Sequence, residues 1–147
     1  MLTQSLAILQ WLDDAYPDPP LLPADRFDRA AALADALVIA ADIHPLGNLR
    51  VLRHIEAEFG VDQAGKDAWY QRWVHDGFAA LEARAGDGPF YGGAAPGIVD
   101  ICLVPQMFNA RRFHTDLGAY PRLVAFDAAA CALPAFRAAH PSAVDPG

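Results

Sequence analysis

The first residues of the chain have the chemistry of an anion-binding site. Gln4 and Ser5 stand before apolar residues at helical spacing, so a helix is predicted over residues 3–15. The first backbone N–H groups of a helix have no partner within it, and with a hydroxyl and an amide beside them they suit a carboxylate. The alternative is that Ser5 is an ordinary N-cap that binds no ligand.

The histidines and cysteines do not show the spacing of a metal site. The histidines are scattered at positions 44, 54, 75, 114 and 140. His54 and Glu58 lie one helical turn apart, a spacing typical of a solvated contact. Cys102 and Cys131 lie in apolar segments, which favours buried thiols in a reducing compartment, with a disulfide as the alternative.

The longest apolar segment predicts the helix around which the fold is organised. Residues 98–104 are apolar except for Asp100, and a helix that is apolar on every side belongs inside a bundle. Asp100 follows Gly97 by three residues, so its side chain is predicted to accept the Gly97 N–H and cap the helix. Pro105 lacks an N–H and predicts a bend further along.

The remaining segments predict an all-α chain with one internal break. Residues 17–25 are rich in proline and indicate a stiff linker. A helix from Asp25 to about Ile43 has its apolar and small residues at Phe27, Ala31, Ala34, Leu37, Val38 and Ala41. Pro45 and Gly47 interrupt the pattern, which resumes as helix to about residue 59. Further helices are predicted over 62–85, 121–133 and 134–139, followed by a loose tail from residue 141.

The composition is that of one folded, acidic domain. Apolar residues make up 54% of the 147 positions and charged residues 20%, which argues against disorder. The net charge is −7 without a basic stripe, which argues against nucleic acid as a partner. The apolar runs are too short for a membrane span, and the N-terminus lacks a signal-peptide pattern, so a cytoplasmic location is expected.

Three segments, taken in order, resemble one family of enzymes. They are Gln4-Ser5-Leu6-Ala7-Ile8, Ile43-His44-Pro45-Leu46-Gly47-Asn48-Leu49-Arg50-Val51-Leu52, and Asp100-Ile101-Cys102-Leu103-Val104-Pro105-Gln106 followed by Asn109-Ala110-Arg111-Arg112-Phe113. The chain thereby resembles the zeta-class glutathione transferases, the maleylacetoacetate and maleylpyruvate isomerases. The first segment is similar to many glutathione transferases, whereas the second and third are characteristic of this class.

The resemblance implies a fold and a domain organisation. In the family, a thioredoxin-like domain precedes an all-helical domain, and the Gln-Ser pair lies on the last helix of the first domain. Residues 1–16 would then be that last helix, 17–25 the linker and 26–147 the helical domain. The rest of the thioredoxin-like domain, with its Ser/Cys-rich catalytic motif, is absent from this sequence, which favours inactivity of the chain on its own.

The resemblance also implies a reaction, a cofactor and site residues. Glutathione adds as a thiolate to a cis double bond, the new single bond rotates, and elimination gives the trans acid. The substrate would be a dicarboxylate, and the full-length family implies a homodimer. Gln4 and Ser5 would hold the γ-glutamyl end of glutathione, with His44 near its sulfur. Asn48 is a further candidate for glutathione binding, and Arg50 and Arg112 would steer or clamp the dicarboxylate.

Each of these residues also has an ordinary structural interpretation. Arg50 could be a surface residue, Arg112 could pair with an acidic neighbour, His44 could cap the break at Pro45, and Asn48 could bond only backbone. A fold does not fix a function, so the alternative to an isomerase is a non-catalytic helical interaction module.

Overall fold

The computed structural model describes residues 1–144, and the helices follow one another in the predicted order. Within this part of the chain there is no named β-strand, so the all-α prediction is confirmed. The helices are α1 (Ser5–Ala15), α2 (Arg26–Leu37), which continues as a π-helical segment (Val38–Ile43), α3 (Leu49–Phe59), α4 (Gln63–Arg84), α5 (Ile98–Arg112), α6 (Pro121–Cys131), α7 (Pro134–Ala138) and α8 (Pro141–Val144).

Helix α5 is the centre of the bundle, as its sequence predicted. It packs against α2, the π-helical segment and α6, and its fully buried side chains include Ile98, Leu103 and Met107. One prediction about this helix is wrong in part, because Ile101 and Cys102 are only half-buried. The helix is therefore apolar on a side that the rest of the described chain leaves partly open.

Asp100 caps α5 from a fully buried position. Its Oδ2 accepts the Gly97 N–H at 2.9 Å, which confirms the predicted capping bond. Its Oδ1 also accepts the Tyr91 N–H at 2.8 Å, and Oδ2 lies 3.4 Å from the Gly92 nitrogen. The carboxylate thus fixes the preceding loop as well as the helix, and the helix dipole favours its negative charge.

The predicted packing face of α2 is wrong. Phe27 is 82% exposed and Leu37 is 46% exposed, whereas Ala36, Ile39 and Ile43 are buried. The buried face also contains Asp35, whose Oδ1 lies 2.6 Å from Arg84 Nε on α4. A polar residue that is paired across helices looks like a surface residue in the sequence, which is why the pattern indicated the opposite face.

The end of this helix widens into π-helical geometry. The N–H of His44 donates to the carbonyl of Ile39 at 2.9 Å, five residues back rather than four. Gly77 of α4 makes room for this wider turn, because a Cβ at Gly77 would lie 2.5 Å from Ile43 Cγ1. The sequence predicted an ordinary helix here. The wider turn depends on the contact with α4, which lies far along the chain and leaves no local signal.

The ends of the chain depart from the predictions by a few residues. Helix α1 begins at Ser5, not residue 3, because Gln4 has a φ of 73° and lies outside the helical region. Asp13 of α1 accepts the Leu21 N–H at 2.6 Å and so attaches the proline-rich linker. Pro141–Val144 forms a short helix where a loose tail was predicted, and residues 145–147 of that tail lie outside the described residues. No helix in the described part is both long and apolar enough to cross a membrane.

Candidate functional site

A cavity of about 900 Å³ lies where three elements meet. They are the N-terminus of α1, the π-helical segment and the partly open side of α5. Its lining residues are Gln4, Ser5, Leu6, Ile8, Leu9, Leu37, Ile39, Ala40, Ala41, His44, Ile101, Cys102, Pro105, Gln106 and Asn109. The structure therefore brings together three of the predicted site residues, namely Gln4, Ser5 and His44, around one apolar-walled space.

The α1 wall of the cavity presents a helix N-terminus. Gln4 occupies the N-cap position with no side-chain capping bond, and the first turn contains no acidic residue. The alternative that Ser5 is an ordinary N-cap is therefore wrong, because Ser5 is the first helical residue. The free N–H groups, the Ser5 hydroxyl and the Gln4 amide remain available to an anionic ligand.

His44 reaches the cavity because the π-helical segment ends at it. The backbone N–H of His44 closes the last π-helical turn, and its side chain is exposed at the cavity wall. π-Helical turns often occur at functional sites because they redirect the side chains that follow. The imidazole can donate or accept a hydrogen bond at neutral pH.

The α5 wall contains residues that were not among the predicted site residues. Cys102, Gln106 and Asn109 line the cavity at helical spacing, together with Pro105. Because Pro105 has no N–H, the carbonyl of Ile101 lacks its usual donor within the helix. The signal that could have identified this wall is the run of Cys, Gln and Asn one turn apart on an otherwise apolar helix.

Asn48 and Arg50 lie outside the residues that line the cavity. Asn48 is the N-cap of α3, and its Oδ1 accepts the Arg50 N–H at 2.8 Å, which confirms that it bonds backbone at the break. Arg50 is exposed in the first turn of α3. The ligand-binding roles of both residues stay predictions.

The two arginines at the end of α5 differ in their partners. Arg111 Nη2 lies 2.6 Å from Oδ2 of the buried Asp127, so the ion pair with an acidic neighbour forms at this residue. Arg112 Nη1 instead lies 3.5 Å from Oδ1 of Asn109, which is a cavity residue. Arg112 is exposed and adjoins the cavity through this contact, and its role as a clamp stays a prediction.

Both cysteines are free, so the prediction of thiols is confirmed and the disulfide alternative is wrong, but both are half-buried rather than buried as predicted. Burial raises the pKa of the Cys102 thiol to about 11. Burial and the Asp127 carboxylate also raise the pKa of Cys131. Among residues 1–144, no three or more His, Cys, Asp or Glu side chains are grouped so that they could hold a metal ion.

Cys102 should therefore react slowly with iodoacetamide although it faces the cavity. A raised pKa leaves the thiol protonated at neutral pH, so alkylation at pH 8 should be at least about tenfold slower than for a short cysteine peptide. The rate should still rise by about tenfold for each pH unit between 8 and 10. Mass spectrometry of quenched time points measures both, and a rate that levels off below pH 9 would contradict the assignment.

Comparisons with known proteins agree with this architecture. Residues 63–126 match the family described as Glutathione S-transferase, C-terminal domain. A probable maleylacetoacetate isomerase from Vibrio cholerae is 46% identical over 142 residues, which cover 95% of this chain and 66% of that protein. A maleylpyruvate isomerase from Ralstonia is 44% identical over 147 residues, covering 97% of this chain and 69% of that protein.

Solved structures give the same result. The holo structure of a maleylpyruvate isomerase, described as a bacterial zeta-class glutathione S-transferase, matches with a TM-score of 0.96 and 43% identity, over 99% of this chain and 71% of that one. A maleylacetoacetate isomerase from Anaeromyxobacter dehalogenans, with bound dicarboxyethyl glutathione and citrate in its active site, matches with a TM-score of 0.92 and 41% identity, over 99% and 66%. The chain spans about two thirds of the length of these relatives. The chain belongs to the zeta class of the glutathione transferase family, among the maleylacetoacetate and maleylpyruvate isomerases.

Proposed function

We propose that this chain forms the helical part of a glutathione-dependent cis–trans isomerase of a maleyl-type dicarboxylate such as maleylacetoacetate or maleylpyruvate. The observation that carries the proposal is the cavity in which an uncapped helix N-terminus faces His44 and the polar residues of α5. The identities of 44–46% to isomerases of this class support the same reaction.

The N-terminus of α1 suits the γ-glutamyl end of glutathione. That end carries a carboxylate, and the free N–H groups of the helix, the Ser5 hydroxyl and the Gln4 amide are donors for it. A relative holds a glutathione derivative in its active site, which supports glutathione as the co-substrate of this chain.

His44 is proposed to stabilise the thiolate form of glutathione. When bound, the thiol of glutathione supplies a nucleophile that can add to a double bond and leave again. An imidazole N–H near the sulfur favours the charged thiolate, which lowers the pH at which it forms. Asn48 and the start of α3 are proposed to hold glutathione next to His44.

Arg112 and Arg50 are proposed to receive the two carboxylates of the substrate. The substrate is a dianion and the chain has a net charge of −7, so binding requires local positive charge. The planar guanidinium of arginine matches a carboxylate with two parallel hydrogen bonds. The citrate and the dicarboxyethyl group in the Anaeromyxobacter relative support a polyanionic ligand at this site.

The domain assignment is likewise a proposal. Residues 1–16 would be the last helix of a thioredoxin-like domain, 17–25 the linker and 26–147 the helical domain, with a second copy of the chain as the partner in a homodimer. Trp11 on α1 is 51% exposed and Phe27 on α2 is 82% exposed, which supports further protein contacts on these two helices.

Ser5→Ala tests the glutathione site. The substitution should weaken binding of glutathione to the chain by at least about tenfold, because a hydrogen bond to a charged group contributes roughly 1.5–3 kcal/mol. Isothermal titration of wild type and variant measures the change. Ser142→Ala on α8 is the matched control, since Ser142 bonds only within its own turn and should bind glutathione as the wild type does.

Cysteinylglycine, which lacks the γ-glutamyl group, gives a second control. Its affinity should be the same for wild type and Ser5→Ala. Glutathione affinity that is unchanged by Ser5→Ala would remove the assignment. A chain that binds no glutathione at all would favour the alternative of a non-catalytic interaction module.

A further inference from the structure

Tyr70 of α4 lies between the break segment around Gly47 and the end of α5, and it does not line the cavity. Its side chain is 4% exposed, and its ring lies directly against Gly47, where a Cβ would be 2.5 Å from Tyr70 Cε2. The neighbouring Trp69 donates its indole N–H to the Leu46 carbonyl at 2.9 Å. Helix α4 thus holds the break segment that joins His44 to Asn48.

The same tyrosine holds the end of α5. Its ring stacks on Phe113 with the ring centroids 3.9 Å apart and the planes inclined by 12°. Phe113 directly follows Arg112, and its carbonyl accepts the side-chain N–H of Gln71 at 2.8 Å. The orientation of the last turn of α5 therefore depends on α4.

The hydroxyl of Tyr70 makes a third connection. Gln106 Nε2 lies 2.9 Å from Tyr70 Oη, and Gln106 is a buried residue of the cavity wall. Burial raises the pKa of Tyr70, while the bond with Gln106 and the positive charge of Arg112 lower it by less. The phenol is therefore neutral at physiological pH, and its hydroxyl stays a hydrogen-bonding group for the Gln106 amide.

We infer that Tyr70 is a positioning residue that fixes Gly47 and Phe113 relative to each other. Gly47 lies between His44 and Asn48, which are proposed to bind glutathione, and Phe113 follows Arg112, which is proposed to bind the dicarboxylate. This inference rests on the proposed function for its ligands. Tyr70 does not touch the ligands itself; it acts through Gly47, Gln106 and Phe113. The ring sets the distance between the two segments, and the hydroxyl sets the orientation of the Gln106 amide in the cavity wall.

Tyr70→Leu tests the inference against a matched control. Tyr120→Leu removes another buried tyrosine, which bonds His75 Nδ1 at 2.7 Å and packs edge-on against Phe78, away from the cavity-lining residues. Both variants lose an aromatic ring and a hydroxyl from the core, so both should be destabilised. Only Tyr70→Leu should also lower the affinity of the full chain for malonate, a small dicarboxylate probe, by about tenfold.

Tyr70→Phe separates the ring from the hydroxyl. It keeps the stacking on Phe113 and the contact with Gly47, so malonate affinity should recover to within about threefold of the wild type. Titration calorimetry below the unfolding temperature of every variant gives the affinities. Where the wild type binds malonate, equal malonate affinity in Tyr70→Leu and Tyr120→Leu would overturn the inference.

Amide hydrogen exchange gives a readout that does not depend on any ligand. In Tyr70→Leu, exchange should accelerate at Val51 and Phe113, whose N–H groups donate to Asn48 and Asn109, more than elsewhere in the chain. In Tyr120→Leu these two amides should change no more than the rest. A uniform acceleration in both variants would overturn the inference. If the wild type binds neither malonate nor glutathione but Tyr70→Leu still shows the selective acceleration, only the proposed function is contradicted.

Discussion

Replacing Asp100 by alanine is expected to lower the free energy of unfolding by about 3–5 kcal/mol, because a buried acceptor of several backbone N–H groups is removed. The N–H groups of Tyr91, Gly92 and Gly97 would lose their acceptor, and the fully buried position gives water little access to replace it. Typical domains are stable by only about 5–15 kcal/mol, so this one change removes a large part of the total. Urea denaturation followed by circular dichroism measures the loss.

Asp100→Asn separates the contribution of the acceptor oxygen to the free energy of unfolding from that of the negative charge. Asparagine keeps one acceptor oxygen and the shape of the side chain, so it should lose less stability than alanine does. Asp42→Ala is the control, because Asp42 is an exposed carboxylate and its loss should change the unfolding free energy by less than about 0.5 kcal/mol. Asp100→Ala with the stability of Asp42→Ala would show that the buried cap does not hold the loop.

Arg112→Ala is expected to lower the kcat/KM for isomerisation of a maleyl acid by at least about tenfold, which corresponds to roughly 1.4 kcal/mol of lost transition-state binding. The physical reason is the loss of a fork of N–H donors for a substrate carboxylate. Glutathione affinity should change little, because its proposed site lies at α1 and His44. The assay uses the chain fused behind a thioredoxin-like domain from a relative, so that all parts of the proposed site are present.

Two further variants make this result specific to the guanidinium. Arg112→Lys keeps the charge but not the planar fork, so its kcat/KM should fall between those of wild type and Arg112→Ala. Arg137→Ala removes an exposed arginine of α7 and should leave the kinetics unchanged. Unaltered turnover in Arg112→Ala would reject the clamp.

Much of the helical fold could be predicted because its signals are local. Asp25, Asn48 and Asp62 each accept a backbone N–H at the start of the helix that follows them, within three residues along the chain. Asp100, in the first turn of α5, accepts the Gly97 N–H three residues before it. Proline and glycine mark the linker and the break by restricting or freeing their own backbone angles. The three sequence motifs likewise identified the family, and the comparisons with known proteins confirm it.

The buried face of each helix and the residues that line the cavity depended on contacts between distant parts of the chain, which helical periodicity does not encode. The apolar pattern of α2 indicated the face with Phe27 and Leu37, whereas the buried face includes Asp35, which is neutralised by Arg84 from 49 residues away. Helix α6 receives its cap from Glu82 of α4, whose carboxylate accepts the Arg122 and Leu123 N–H groups at 3.0 Å each. In both cases the partner lies far along the chain.

The sequence by itself determined the helix order, the local caps of α2, α3, α4 and α5, and the family, because these depend on interactions within a few residues or on whole motifs. The tertiary structure alone decided where the α2–α5 surfaces meet, how the turn before His44 widens against Gly77, and which arginine of α5 pairs with Asp127. It also placed Gln106 and Asn109 in the cavity wall. These outcomes depend on close packing between distant segments, where a single methyl group or charge selects one arrangement over another.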